Sequence, residues 1–213
     1  MIEKIRLSLW DILTFFLSGF LFVIIATFYA AVLKDFSLEK VINFVFKIPA
    51  SISLFLLPLA FTLIGMLIEP LANYFDKLIS DPIFKKLIGE KKKHKGREKV
   101  IEDFIKTKCL GELNSKIDNP FAICKEYVET KQLSTTFMVF LSRYGFYRNA
   151  SFLCILSIIL TLVSYGFNYT SVIISTIQLM LVIAFKKRSE DFYSYQAPSI
   201  YYAFLIDKLD WKP

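Results

Sequence analysis

Three stretches of this chain, residues 12–33, 48–68 and 149–185, contain no Asp, Glu, Lys or Arg, and they constrain the fold more than any other feature. An α-helix rises about 1.5 Å per residue, so about 20 uncharged, mostly apolar residues cross the roughly 30 Å hydrocarbon core of a bilayer. The first two stretches are each one crossing long. The third, at 37 residues, is too long for one ordinary crossing, and Gly166-Phe167-Asn168-Tyr169-Thr170 interrupts it with a run suited to a tight turn. It is expected to fold back as helices over 150–165 and 171–185, giving four crossings of which the last two are short.

Burying all three runs inside a water-soluble protein would ask one small core to hide them. Hydrophobic residues make up 55% of the chain and the mean hydropathy is +0.50, above the apolar share of an ordinary soluble domain. The net charge is nevertheless +7, from 26 Lys and Arg against 19 Asp and Glu, so charge and hydrophobicity are segregated. The predicted class is all-α: an integral membrane protein with four transmembrane helices in two hairpins and a helical cytoplasmic insert between the second and third. Residues 1–75 carry helices over about 12–33 and 48–68, residues 76–149 form the basic helical domain, residues 150–186 carry the second hairpin, and residues 187–213 form a C-terminal segment.

Lys and Arg accumulate in the loops on the cytoplasmic side of a membrane. With four crossings, both termini and the insert share one face, and they carry all of the 26 basic residues except Lys34, Lys40 and Lys47. This assigns both termini to the cytoplasm and the chain to the cytoplasmic (inner) membrane, with the lipid bilayer as its first partner. The 12–33 run exceeds the apolar core of a secretory signal and Lys34 follows it without a cleavage pattern, so it reads as a retained anchor. Cys109, Cys124 and Cys154 are an odd set with no CxxC pair, and the first two, in the cytoplasmic part, are expected to be reduced.

Trp10 falls where an aromatic belt residue would hold the first helix. Residues 37–47 read as a short amphipathic helix on the outer surface, and Pro58 permits a kink in the second helix. In the insert, residues 84–99 read as a lysine-rich loop or frayed helix. From 100 to 117, Val100, Ile101, Phe104, Ile105, Leu110 and Leu113 recur mostly at helical spacing and predict one apolar face. A further helix opens at Asp118 or Asn119 with Pro120 in its first turn. Another, from about Ser134, runs through Arg143 and Arg148 into the third membrane helix.

No GxSxG, Walker, HExxH or Rossmann pattern is present, and His94, the only histidine, lies among lysines. A multi-histidine metal site is excluded and only one imidazole remains for acid–base work, so neither an enzyme nor a cofactor is expected. The densest charge is Lys85, Lys86, Lys91, Lys92, Lys93, Lys95, Arg97 and Lys99. Such a cluster suits an anionic ligand, a nucleotide or short nucleic acid whose phosphates release counterions on binding. It equally suits anionic lipid or a topology signal, and it lacks interleaved aromatics for stacking bases. Small polar residues recur at helical spacing as Thr14 and Ser18 after Asp11, and as Ser157, Thr161 and Ser164. These faces line a hydrated pore or join helices by hydrogen bonds. Asp11 and Glu69 are the acids nearest the apolar core; they pair with Arg6, Arg143 or Arg148, or form a selectivity ring or gate latch.

The layout of Trp10-Asp11-Ile12-Leu13 opening the first helix, Ile64-Gly65-Met66-Leu67-Ile68-Glu69-Pro70 closing the second, a basic insert, and Arg148-Asn149 before a helical hairpin resembles small membrane effectors of bacterial anti-phage systems, in particular the channel component of Hailong-type defence. The resemblance implies a homo-oligomeric ion channel opened by a nucleotide-derived signal that a partner nucleotidyltransferase makes. The expectation is therefore an oligomeric ligand-gated channel or pore, with anion permeation favoured by its basic face. The competing expectation is a membrane-anchored scaffold or adaptor that binds a protein through its cytoplasmic part.

Overall fold

The structure is a computed structural model that describes residues 9–34, 39, 43, 47, 49–88, 95–109, 119–131, 133 and 135–208. All regular structure among the described residues is helical. The elements are α1 (Leu9–Lys34), α2 (Ala50–Phe75), a π-helical turn (Asp76–Ser80), α3 (Asp81–Ile88), α4 (Lys95–Phe104) with a second π-helical turn (Ile105–Cys109), α5 (Pro120–Thr130), α6 (Thr135–Tyr165) and α7 (Tyr169–Lys208). Four helices are long and apolar enough to cross a membrane, which suggests a multi-pass membrane protein. Hydrocarbon offers no partner to backbone N–H and C=O groups, and a helix pairs them internally. The expected surface helix over 37–47 lies, apart from single positions, outside the described residues.

Helices α1 and α2 pack antiparallel. Phe16 and Phe20 meet the Phe61 ring at centroid distances of 5.7 and 5.5 Å, and the backbones come closest at Gly19 and Gly65. A Cβ on Gly19 would overlap the Phe61 carbonyl oxygen, and one on Gly65 the Phe15 carbonyl oxygen. Small residues permit such approach where lipid, being as apolar as leucine, supplies no hydrophobic drive between helices. The opposite face of α2 carries Leu56, Leu63 and Leu67, 52%, 54% and 70% exposed, a surface fit for lipid rather than water.

Gly166 takes φ +64, a left-handed conformation that glycine adopts without steric cost. Beyond it Asn168 and Ser171 cap α7 reciprocally: the Ser171 N–H donates to Asn168 Oδ1 at 2.8 Å and the Asn168 N–H to Ser171 Oγ at 3.0 Å. The turn expected at 166–170 is present, but the helices on either side are not short. Helix α6 has 31 residues and α7 has 40, lengths of about 46 and 60 Å. Both continue past the charge-free run into the basic end of the molecule.

There they meet α5, which opens as the spacing predicts, with Pro120 in its first turn and the Ala122 N–H donating to Asn119 Oδ1 at 3.3 Å. Ile105, Cys124, Val128, Phe137, Ile200, Tyr201 and Phe204 form a buried apolar core between α4, α5, α6 and α7. The apolar face expected from residue 100 onward is narrower than its spacing implied. Ile105 is buried and Ile101 packs beside it, whereas Val100 is 69% exposed and Phe104 38%. The two pairs form adjacent stripes about 100° apart on an α-helix, and only one of them faces the core. Leu110 and Leu113 lie outside the described residues.

At the rim of this bundle the Tyr127 hydroxyl donates to Asp207 Oδ2 at 2.6 Å, with Lys131 Nζ 3.7 Å from the same oxygen. The Tyr127 hydrogen bond is the main cause holding the Asp207 carboxyl below its ordinary value, helped by the Lys131 and Lys208 charges and opposed by desolvation. A lowered carboxyl stabilises the fold above the ordinary carboxylate range and loses that contribution as pH falls through the lowered value. Tyr127→Phe should therefore reduce thermal stability slightly at neutral pH and progressively less below about pH 4, as melting curves across that range would record.

Candidate functional site

At the basic end, the third apolar run is flanked on both sides by basic residues that the fold buries. Arg148, one residue before the third run, is 7% exposed. Its Nη2 donates to Glu69 Oε1 at 3.1 Å and its Nη1 to Asn73 Oδ1 at 3.4 Å, both on α2. Its guanidinium also lies 5.2 Å from the Tyr144 ring centroid. Lys186, one residue after the same run, is 2% exposed. Its Nζ donates to Asp76 Oδ1 and to Asp81 Oδ1, each at 2.5 Å, and Glu190 Oε1 lies at 4.0 Å.

Local backbone geometry makes the second clamp. Residues five apart on an α-helix point about 140° away from each other, so Asp76 and Asp81 would not share a partner on a regular helix. The π-helical turn between them, closed by the Asp81 N–H on the Asp76 carbonyl, holds more residues per turn. Both carboxylates thereby reach one ammonium, a local distortion that often marks functional positions in helices. Two buried cations thus face three carboxylates of α2 and its continuation, of which Asp76 is nearly buried while Glu69 and Asp81 are partly exposed, an excess of negative charge at this level. Buried pairs of this kind add little net stability when intact and cost several kcal/mol when one partner is removed.

From this layer a line of hydrogen bonds runs along the seam between α1, α6 and α7. The Thr14 hydroxyl donates to the Ser142 carbonyl at 3.2 Å, and Asn149 Nδ2 donates to Ser18 Oγ at 3.2 Å. Farther along, the Tyr29 hydroxyl sits 3.2 Å from Ser157 Oγ and 2.5 Å from Thr161 Oγ1. Gln178 Nε2 donates to Tyr29 at 3.0 Å and to Ser157 at 2.8 Å, while its Oε1 accepts from Thr161 at 3.1 Å. The Asn149 Oδ1 and Arg148 Nε atoms are buried without a partner among the described residues, as are groups that hold internal water.

Of the residues singled out in the sequence, the structure joins Glu69 to Arg148 and places Thr14, Ser18, Ser157 and Thr161 in the seam within one chain. Ser164 is half-buried and its hydroxyl has no hydrogen-bond partner among the described residues. Arg143 is exposed and lies over the Phe192 ring at 5.4 Å. The Asp11 side chain is outside the described residues, as are those of Lys85, Lys91, Lys92, Lys93, Lys95, Arg97 and Lys99; Lys86 is exposed on α3. Sequence reasoning missed Asp76, Asp81 and Lys186, because a five-residue spacing carries no helical signature and a lysine after an apolar run reads as a topology signal. Tyr29 and Asn149 were missed as single polar residues among apolar ones.

No family model matches the chain, and neither a curated protein nor a solved structure matches it.

Proposed function

We propose that the chain is a gated ion channel or pore of the bacterial inner membrane, acting as a homo-oligomeric effector in anti-phage defence, with both termini and the basic insert in the cytoplasm. What carries the reading is the seam: polar side chains at successive depths between α1, α6 and α7, closed at the basic end by buried ion pairs between two pairs of helices. Ionisable groups buried between helices at the end of a membrane span are costly and suit a gate. At rest the seam is filled by its own hydrogen bonds. If the Lys186 and Arg148 clamps release, α1 and α2 separate from α6 and α7, and Thr14, Ser18, Asn149, Ser157, Thr161 and Gln178 face water instead of each other.

Helix α3 supplies a lever. It begins at Asp81 and leads through Lys85 and Lys86 into the lysine-rich segment, so a nucleotide or oligonucleotide bound to those lysines pulls on a clamp carboxylate. The excess of carboxylates in the layer favours cations over anions as the conducted species, contrary to the expectation from the basic face alone. Asp81→Asn removes one charge-assisted hydrogen bond, about 1.5–3 kcal/mol. It is expected to raise ligand-free ion flux from proteoliposomes about tenfold or more. No flux from the wild type with candidate oligonucleotides, together with none from this variant, would sink the channel.

The adaptor reading draws on the same seam differently. Stripes bonded within one chain are what a tether needs, and they are not available to line an axis between subunits. A flux-silent protein that still binds a soluble partner through α4 and α5 would favour it.

A further inference from the structure

The basic end carries a second pair of arginines that the clamp does not use. Arg143 on α6 and Arg188 on α7 are both exposed, and both lie over one ring: the guanidinium carbons are 5.4 and 4.9 Å from the Phe192 centroid. Neither forms an ion pair with a carboxylate among the described residues, whereas Arg148 and Lys186, close by on the same helices, are buried against carboxylates. Phe192 is itself buried and fixed. Tyr147 stacks on it at 5.6 Å and 6°, and Phe140 and Tyr195 lie at 6.2 and 6.5 Å. Tyr147 also meets Phe185, the last residue of the charge-free run, at 6.0 Å.

We infer that Arg143 and Arg188 form a seat for the phosphate of an anionic phospholipid. Position is the first argument. Arg188 is three residues beyond the charge-free run, about 5 Å along the helix, and Arg143 six residues before it, about 9 Å. If the four apolar helices cross a bilayer, both guanidiniums stand at the level of the lipid phosphates, beside an aromatic cluster of the kind found at membrane interfaces. Chemistry is the second. A guanidinium whose contact is an aromatic ring rather than a carboxylate keeps N–H donors available, and its planar fork matches two phosphate oxygens at once. Two forks, from two helices held by one buried ring, recognise a phosphate that a single mobile lysine would only attract. Glu190, the nearest acid before Asp191 on α7, lies 4.0 Å from the Lys186 ammonium. The inference rests on membrane crossing and not on ion conduction.

The full chain in uncharged detergent, exchanged against equal phosphatidylglycerol and phosphatidylcholine, provides the test, with bound lipid read by native mass spectrometry. The wild type is expected to retain phosphatidylglycerol preferentially, and R143Q/R188Q to lose that preference about tenfold or more, since each juxtamembrane arginine contributes on the order of 1 kcal/mol toward anionic lipid. K125Q/K131Q, which removes the same charge from α5 and the turn after it, away from the apolar run, is expected to keep it. R143K/R188K keeps charge and fold but loses the forks, and should retain an intermediate preference. Unchanged preference in R143Q/R188Q overturns the seat. If that variant is not monodisperse, unchanged preference in R143K/R188K does the same. Displacement of the lipid by millimolar glycerol phosphate would show that the arginines take soluble phosphate, and would overturn the lipid assignment.

Discussion

Replacing Lys186 by methionine is expected to destabilise the protein by about 3 kcal/mol, the lower end for a broken buried pair because Asp81 is partly solvated, and the largest loss expected from any single charge among the described residues. Methionine has nearly the length and volume of the lysine stem, so no cavity forms and the packing of α7 is kept. What changes is that Asp76 and Asp81 lose the ammonium each approaches at 2.5 Å, at a position 2% exposed. Two carboxylates then face each other without a cation between them, Asp76 nearly buried and Asp81 39% exposed. The diagnostic is rescue: D76N/D81N/K186M removes the whole charged set, and neutral replacement of a buried ionic group is often harmless. Thermal unfolding in detergent should show the single variant well below the wild type and the triple variant near it. A single variant as stable as the wild type would mean that the clamp is solvated and structurally idle. If the clamp is also the gate, the triple variant regains stability yet conducts without ligand, which separates structure from gating.

Gly65→Leu should be nearly as damaging, for a steric reason. Even an alanine Cβ at this position overlaps the Phe15 carbonyl oxygen, and one at Gly19 overlaps that of Phe61. Backbone cannot rotate away as a side chain can, so α1 and α2 must separate along their length. Overpacking a core usually costs about 1–3 kcal/mol, and a leucine against backbone belongs at or above the upper end. Gly145→Ala is the control. Its Cβ would meet only Thr14 Cγ2, at 3.6 Å, an ordinary contact, while alanine gains up to about 1 kcal/mol of helix propensity over glycine. G145A should melt at or above the wild-type temperature and G65L well below it; equal melting of all three would refute the close crossing.

Much of this architecture was legible in the residues themselves. The absence of charge over 12–33, 48–68 and 149–185 located the long helices, because the need for uninterrupted apolar length is local. Asn119-Pro120 announced α5, because capping is settled within a few residues. The pairing of Glu69 with Arg148 was legible as one of a few options, since an acid at the end of an apolar run has few basic residues within reach. The lysine clamp was not legible. Its partners lie 110 and 105 residues apart in the chain, and its carboxylates share a face only because the helix widens into a π-turn between them.

The sequence by itself thus determined helical character, the presence of four apolar helices and the turn at Gly166, all consequences of hydrophobic content and backbone preference that sum along the chain, though not the length of the last two helices. Only the tertiary structure decided that the serine and threonine stripes face inward within one chain, that Lys186 and Arg148 are buried while Arg143 and Arg188 stay exposed, and that two glycines set the separation of α1 and α2. The physical reason is range. Burial of apolar length depends on neighbours in sequence, whereas a hydrogen bond or ion pair depends on the last ångström of approach between helices remote in the chain, which no periodicity encodes.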